Sequence, residues 1–129
     1  MSKARPAPTV APRRAILPRV YLEDDVAIGP GKIDLLRQVD EKRSISAAAR
    51  AMGMSYKRAW QLVDVLNRDF GAPVVATATG GRGGGGASLT DLGRALVDHY
   101  TALEERLNAA ASSELAALRR LLPGARRVC

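Results

Sequence analysis

The residues best equipped for chemistry lie between Ser46 and Gln61. Ser46, Ser55 and Tyr56 carry hydroxyls, Lys57 and Arg58 carry positive charge, and Gln61 has an amide that both donates and accepts. A Ser–His–Asp set could be drawn from the residue list, but no nucleophile turn or paired carboxylates surround such a set, so no enzyme is expected. What remains is hydrogen bonding and charge. Arg58 and Gln61 can make bidentate contacts to base edges in a DNA groove, whereas Lys57 and the hydroxyls suit phosphate oxygens. Arg82 stands apart, inside a segment from Thr79 to Gly86 that holds six glycines.

The spacing around these side chains is that of a helix-turn-helix: Ser46-Ala-Ala-Ala49-Arg-Ala-Met-Gly53-Met-Ser-Tyr-Lys-Arg-Ala59-Trp-Gln-Leu62. Ala49, four residues before the turn glycine, lets two helices cross closely, and Gly53 can take the positive φ of a tight turn. Ala59 allows the second helix to approach the first, and Leu62 plugs the core. Ser55, Tyr56, Lys57, Arg58 and Gln61 are then left at the start or outer side of the second helix, the end that enters a major groove. Any alanine-rich helix pair around a glycine can give this spacing by chance. Against chance stands the stretch from Lys42 to Val63, which holds Lys42, Arg43, Arg50, Lys57 and Arg58 and no acid.

The flanking elements follow from periodicity and punctuation. Residues 1–18 hold four prolines and read as a basic, extended or disordered arm. Val20 to Ile28 reads as one short strand, or two broken by Glu23-Asp24-Asp25. Pro30 precedes a helix from Lys32 to about Glu41. Ser46 is the expected N-cap of the next helix, and Ser55 that of a third running to about Phe70, where Gly71 and Pro73 end it. Val74–Thr77 and Ala87–Leu89 read as strands joined by the glycine run, a wing whose Arg82 can reach the minor groove or phosphate. The rival readings of that run are a nucleotide-binding loop, which lacks the Gly-Lys-Ser/Thr it needs, and a plain flexible linker.

Thr90 can cap a final helix with apolar positions Leu92, Leu96, Leu103, Leu107, Ala110, Leu115, Leu118 and Leu122. Unbroken to Leu122 it would be about 50 Å long, more than a domain with a radius of gyration near 12 Å can cover. Ser112-Ser113 could divide it. The excess predicts a homodimer through this helix, with Leu92, Leu96, Leu103 and Leu107 as dimerisation residues. His99, the one histidine, is read as a partly buried, hydrogen-bonded side chain rather than a metal ligand, and Trp60 as bordering the core. The expected organisation is an arm at 1–18, a DNA-binding domain at 19–89, a dimerisation helix at 90–122 and a tail at 123–129.

Composition bounds these expectations. The chain has 129 residues, 47% of them apolar, with one Phe, one Trp and three Tyr, so its core must be aliphatic and small. Five of the basic residues behind the net charge of +7 lie in the first twenty positions. Cys129 alone permits no intrachain disulfide or thiolate cluster. No apolar run reaches membrane-spanning length, and Arg13-Arg14 is followed by too short an apolar stretch for an export signal, so a cytoplasmic location without membrane contact is expected.

From Ile33 to Leu107 the chain resembles the N-terminal DNA-binding domain of ModE-type, molybdate-responsive regulators, themselves similar to LysR-type domains. The resemblance rests on Ser44-Ile-Ser46, on Gly53-Met-Ser-Tyr-Lys-Arg-Ala-Trp60, on Ala78-Thr-Gly-Gly-Arg-Gly-Gly-Gly-Gly86 and on Leu89-Thr-Asp-Leu-Gly93. It implies a fold that is mainly α with a small β wing, a winged helix-turn-helix. It also implies a homodimer and control of molybdenum uptake or molybdoenzyme genes. By position, Ser46, Ser55, Tyr56, Lys57, Arg58 and Gln61 would face DNA, with Arg82 on the wing. Full-length members continue into molybdate-binding domains, and this chain ends at Cys129. Molybdate sensing is therefore not expected here, nor any cofactor or metal. The expected partners are double-stranded DNA, a second copy of the chain and a full-length relative sharing the operator. A molybdenum-independent operator- or nucleoid-binding protein and a helix-mediated interaction module remain as alternatives.

Overall fold

Gly29 and Pro30 decide where the first helix begins. Pro30 fixes its own φ and lacks the N–H that a first helical turn cannot use, and α1 runs Pro30–Lys42. The computed structural model describes residues 14–78 and 86–124. Before α1 lies an antiparallel hairpin, β1 (Val20–Glu23) and β2 (Val26–Ile28), with Val20 opposite Ile28. It is thus two strands around the acidic turn. After α1 come α2 (Ile45–Met52) and α3 (Tyr56–Phe70), then β3 (Val75–Ala78) and β4 (Gly86–Leu89) in antiparallel register. The chain finishes with α4 (Asp91–Ala110) and α5 (Ser112–Arg120). Among the described residues no helix is long and apolar enough to cross a membrane.

The core is aliphatic, as the composition requires. Ile33, Leu35, Leu36 and Val39 of α1 have no exposed surface, and neither have Ala48 of α2 and Ala59, Val63 and Leu66 of α3. Leu62 is half-buried, so Val63 and Leu66 fill the centre while Leu62 packs on its edge beside Trp60. Gly93 lets α4 sit on the strand pair: a Cβ there would lie 2.1 Å from the Val74 carbonyl oxygen. The Thr90 N–H donates to that same oxygen at 3.1 Å, and the Thr90 hydroxyl donates to the Pro73 carbonyl at 2.8 Å. The root of the wing and the start of α4 are one joint.

Several expectations change. The N-cap of α2 is Ser44, whose hydroxyl accepts from the Ala47 N–H, and Ser46 lies inside the first turn. The extended residue before a helix is the one that can turn its oxygen onto the third N–H, and here that residue is Ser44. The final helix is two helices. Ala111, at φ −96° and ψ 9°, closes α4 after about 30 Å. The pair Ser112-Ser113 opens α5, which buries none of its residues. His99 is exposed rather than partly buried.

Residues 14–18 of the expected arm follow α4 and are held there. The Tyr100 hydroxyl donates to the Pro18 carbonyl at 2.7 Å, and the Asn108 side chain bonds both backbone groups of Ile16. Arg14 lies 3.3 Å from Glu105 and 3.7 Å from Glu104. Arg37 of α1 adds a bond to the Thr101 hydroxyl at 2.6 Å, so strap, α1 and α4 share one polar cluster. Burial raises the Tyr100 hydroxyl above its ordinary pKa, and the Glu104 carboxylate adds to the effect.

Candidate nucleic-acid interface

One left-handed residue lies between the two helices of the pair. Gly53, at φ 70°, ends α2, and the Met54 N–H folds back to the Ala49 carbonyl at 3.0 Å. Ala49 is 2% exposed and Ala59 is fully buried, so the helices meet through methyl groups. Ser55 then caps α3, its hydroxyl accepting from the Arg58 N–H at 3.0 Å.

This local geometry turns the polar residues outward. Ser46, Ser55, Tyr56, Lys57, Arg58 and Gln61 are all exposed. Tyr56 meets the edge of Trp60 with ring centres 6.4 Å apart, leaving Tyr56 more than half exposed while Trp60 borders the core. Neither α2 nor α3 has an acid in its first turn. Their N-terminal partial positive charge therefore adds to Lys57 and Arg58 instead of being neutralised. Among the described residues, Lys57 and Arg58 form no ion pair.

Two further cations are exposed along the helix pair and at its entry. Arg50 of α2 is exposed and its guanidinium donates to the Ser46 hydroxyl at 3.4 Å. Arg43, between α1 and α2, is tied by its carbonyl to the Ala87 N–H of β4 at 3.0 Å. Their membership in the acid-free stretch was the available signal. Arg82 lies outside the described residues; only the strands on either side of it are described.

The four residues expected to dimerise have separate settings. Leu96 is 9% exposed and belongs to the chain's own core, with Leu92 packed against that core. Leu103 is half-buried and Leu107 is 36% exposed. Beside them runs an apolar groove of about 280 Å³ whose walls include Val20, Leu22, Phe70, Leu92 and Leu103, with His99 at its edge.

Three helices, an antiparallel strand pair and a further helix in this order define a winged helix-turn-helix. Residues 31–94 match the family of bacterial regulatory helix-turn-helix proteins of the lysR type, and this segment of the chain is a domain of that kind. Its similarity to ModE proteins is consistent with a ModE-type domain. The chain is 38% identical over 119 residues to the molybdenum transport protein ModE of Azotobacter vinelandii, covering 82% of this chain and 44% of that protein. It is 47% identical over 77 residues to the molybdenum-pterin-binding protein MopB of Rhodobacter capsulatus, covering 60% of this chain and 28% of that one. The DNA-binding transcriptional dual regulator ModE of Escherichia coli is 38% identical over 70% of this chain and 34% of its own length. The chain thus spans less than half of each of these relatives. A solved complex of the CbnR DNA-binding domain with DNA shares the fold at TM-score 0.54 and 20% identity, covering 68% of this chain and 95% of that one.

Proposed function

We propose that this chain is a sequence-specific, DNA-binding transcription regulator that acts as a homodimer on genes of molybdenum uptake or molybdoenzymes. The observation that carries DNA binding is the outer edge of α3. Ser55, Tyr56, Lys57, Arg58 and Gln61 are exposed together, with no carboxylate in the first turn to neutralise them. Arg58 and Gln61 read base edges, while Lys57 and the Ser46, Ser55 and Tyr56 hydroxyls hold phosphate. Arg82 extends this contact from the wing. The molybdenum assignment rests on the similarity to ModE and MopB proteins.

Support for the homodimer comes from apolar surface that one copy leaves open. Leu107 of α4, Leu118 of α5 and Leu121 and Leu122 just after it are exposed, and α4 also lines the apolar groove at Leu103. A second copy is the partner that a two-fold operator requires.

The test begins with a duplex selected from a randomised pool by the chain itself, titrated against a random duplex over a range of salt. Tighter binding to the selected duplex, weakening as salt rises, is the expected result. Equal binding to both would leave only a nucleoid-type binder. The same titration with sodium molybdate, and with sulfate as the charge control, tests sensing; no change with either is expected from this segment. If this segment gives no response, a cellular response is sought in its expression level or in a full-length relative sharing the operator.

A further inference from the structure

Arg43 is the one non-glycine residue among those described with a positive φ, 58° with ψ 29°. Side chains disfavour this left-handed region, whereas glycine enters it freely. The backbone explains why the conformation is needed. The Arg43 N–H donates to the Val39 carbonyl at 2.9 Å, closing α1, and its carbonyl accepts from the Ala87 N–H at 3.0 Å, fixing β4. Both bonds are backbone bonds, so glycine would serve the fold better.

The side chain has no such structural account. It is exposed, and among the described residues it makes no hydrogen bond, ion pair or ring contact. Its setting is specific: Lys42 precedes it, and Ser44, the cap of an α2 without acids in its first turn, follows it. Through Ala87 it is joined to the wing. Arg43 therefore stands where the first helix of the helix-turn-helix begins beside strand β4 of the wing, the two pieces that flank the recognition helix. A left-handed position held by an exposed cation that has no partner among the described residues, at a junction of binding elements, points to function rather than folding.

We propose that Arg43 is a further DNA-contact residue, binding a backbone phosphate between the stretch gripped at α2 and the stretch beneath the wing. The inference rests on the DNA-binding reading above. Phosphate contact fixes register and carries no sequence information. It also adds one released counterion to the binding equilibrium.

Arg43→Gly tests this cleanly, because it removes the charge while relieving the backbone. Binding is measured on the pool-selected duplex and on a random duplex of about three helical turns. The expected result is about eightfold weaker binding to both at 0.1 M monovalent salt, with the log–log salt slope reduced by about one. The preference for the selected duplex should be unchanged, and the melting temperature equal to the parent's or higher. Arg43→Lys should restore most of the slope. Parent-like affinity and slope for Arg43→Gly would overturn the proposal, as would a loss confined to the selected duplex. A lower melting temperature would show that the fold does need the side chain, and would equally overturn it. A parent chain that binds neither duplex is a different result, which removes the DNA reading itself and this inference with it.

Discussion

The side-chain amide of Asn108 brackets the backbone of Ile16: Oδ1 accepts from the Ile16 N–H at 2.9 Å and Nδ2 donates to the Ile16 carbonyl at 3.0 Å. One side chain thus does for the strap what a neighbouring strand does in a sheet. Asn108→Ala leaves two half-buried backbone groups without partners and should cost about 1–3 kcal/mol of the strap's local stability. Hydrogen exchange at the Ile16 amide is the measurement. Exchange should accelerate there while the α1 core amides keep their protection.

Tyr100 holds the other end of the strap. Its hydroxyl pKa is raised, first by burial and then by Glu104, so the folded state binds the phenolic proton more tightly than the unfolded chain does. That contribution is present in full below the ordinary tyrosine pKa of about 10 and is lost as pH rises through the higher folded value. Tyr100→Phe should cost on the order of 1 kcal/mol at neutral pH by losing the bond to Pro18. It should also flatten the alkaline fall in stability. Urea midpoints for both proteins between neutral and strongly alkaline pH would show an unchanged fall if another group is responsible.

The helix pair and its outward residues were legible in the sequence because each is dictated locally. Ala49, Gly53, Ser55 and Ala59 act within one turn of their own position, and the exposed side of α3 follows once they are placed. What escaped was non-local. Ser44 rather than Ser46 caps α2, directly after the left-handed Arg43, whose carbonyl accepts from the Ala87 N–H more than forty residues later. The strap looked like an unstructured, proline-rich arm because its anchors, Tyr100 and Asn108, lie on α4. Leu96 sits in the same leucine stripe as Leu103, and spacing alone does not reveal which leucine the chain's own core has consumed. The break at Ala111 had a local hint in Ser112-Ser113.

Gly93 carries the joint between wing and α4, and its substitution tests that joint. An alanine Cβ would lie 2.1 Å from the Val74 oxygen, and the obstacle is backbone, which cannot rotate away. Gly93→Ala should therefore lower stability by about 3 kcal/mol, outweighing the roughly 1 kcal/mol that alanine gains over glycine within a helix. Thermal unfolding reads this directly. A variant as stable as the parent would mean that α4 can slide on β3.

Arg58 and Lys57 are neighbours with different expected roles. Arg58→Ala should cost on the order of 1–3 kcal/mol on the pool-selected duplex and flatten the sequence preference, because a base-edge contact is lost. Lys57→Ala should weaken selected and random duplexes alike, because a phosphate does not depend on sequence. Equal losses for Arg58→Ala on both duplexes would reassign it to the backbone.

The assembly prediction separates residues that a leucine stripe would treat as equal. Leu96 is buried in the chain's own core, so Leu96→Glu should unfold the protein and says nothing about pairing. Leu107 is 36% exposed, and a glutamate there is compatible with the isolated fold. Leu103, half-buried at the groove, lies between these cases. In the proposed dimer both Leu103 and Leu107 lie at the seam, and a carboxylate there is desolvated beside its symmetry mate, which disfavours pairing. Leu107→Glu should therefore keep its helical spectrum, sediment as a monomer and lose operator affinity steeply. Two linked recognition helices engage half-sites about 34–36 Å apart, and a single one forfeits that gain. Leu103→Glu should do the same with some loss of melting temperature. Sedimentation of the parent at micromolar concentration is the direct measurement, and a monomer there would refute the seam.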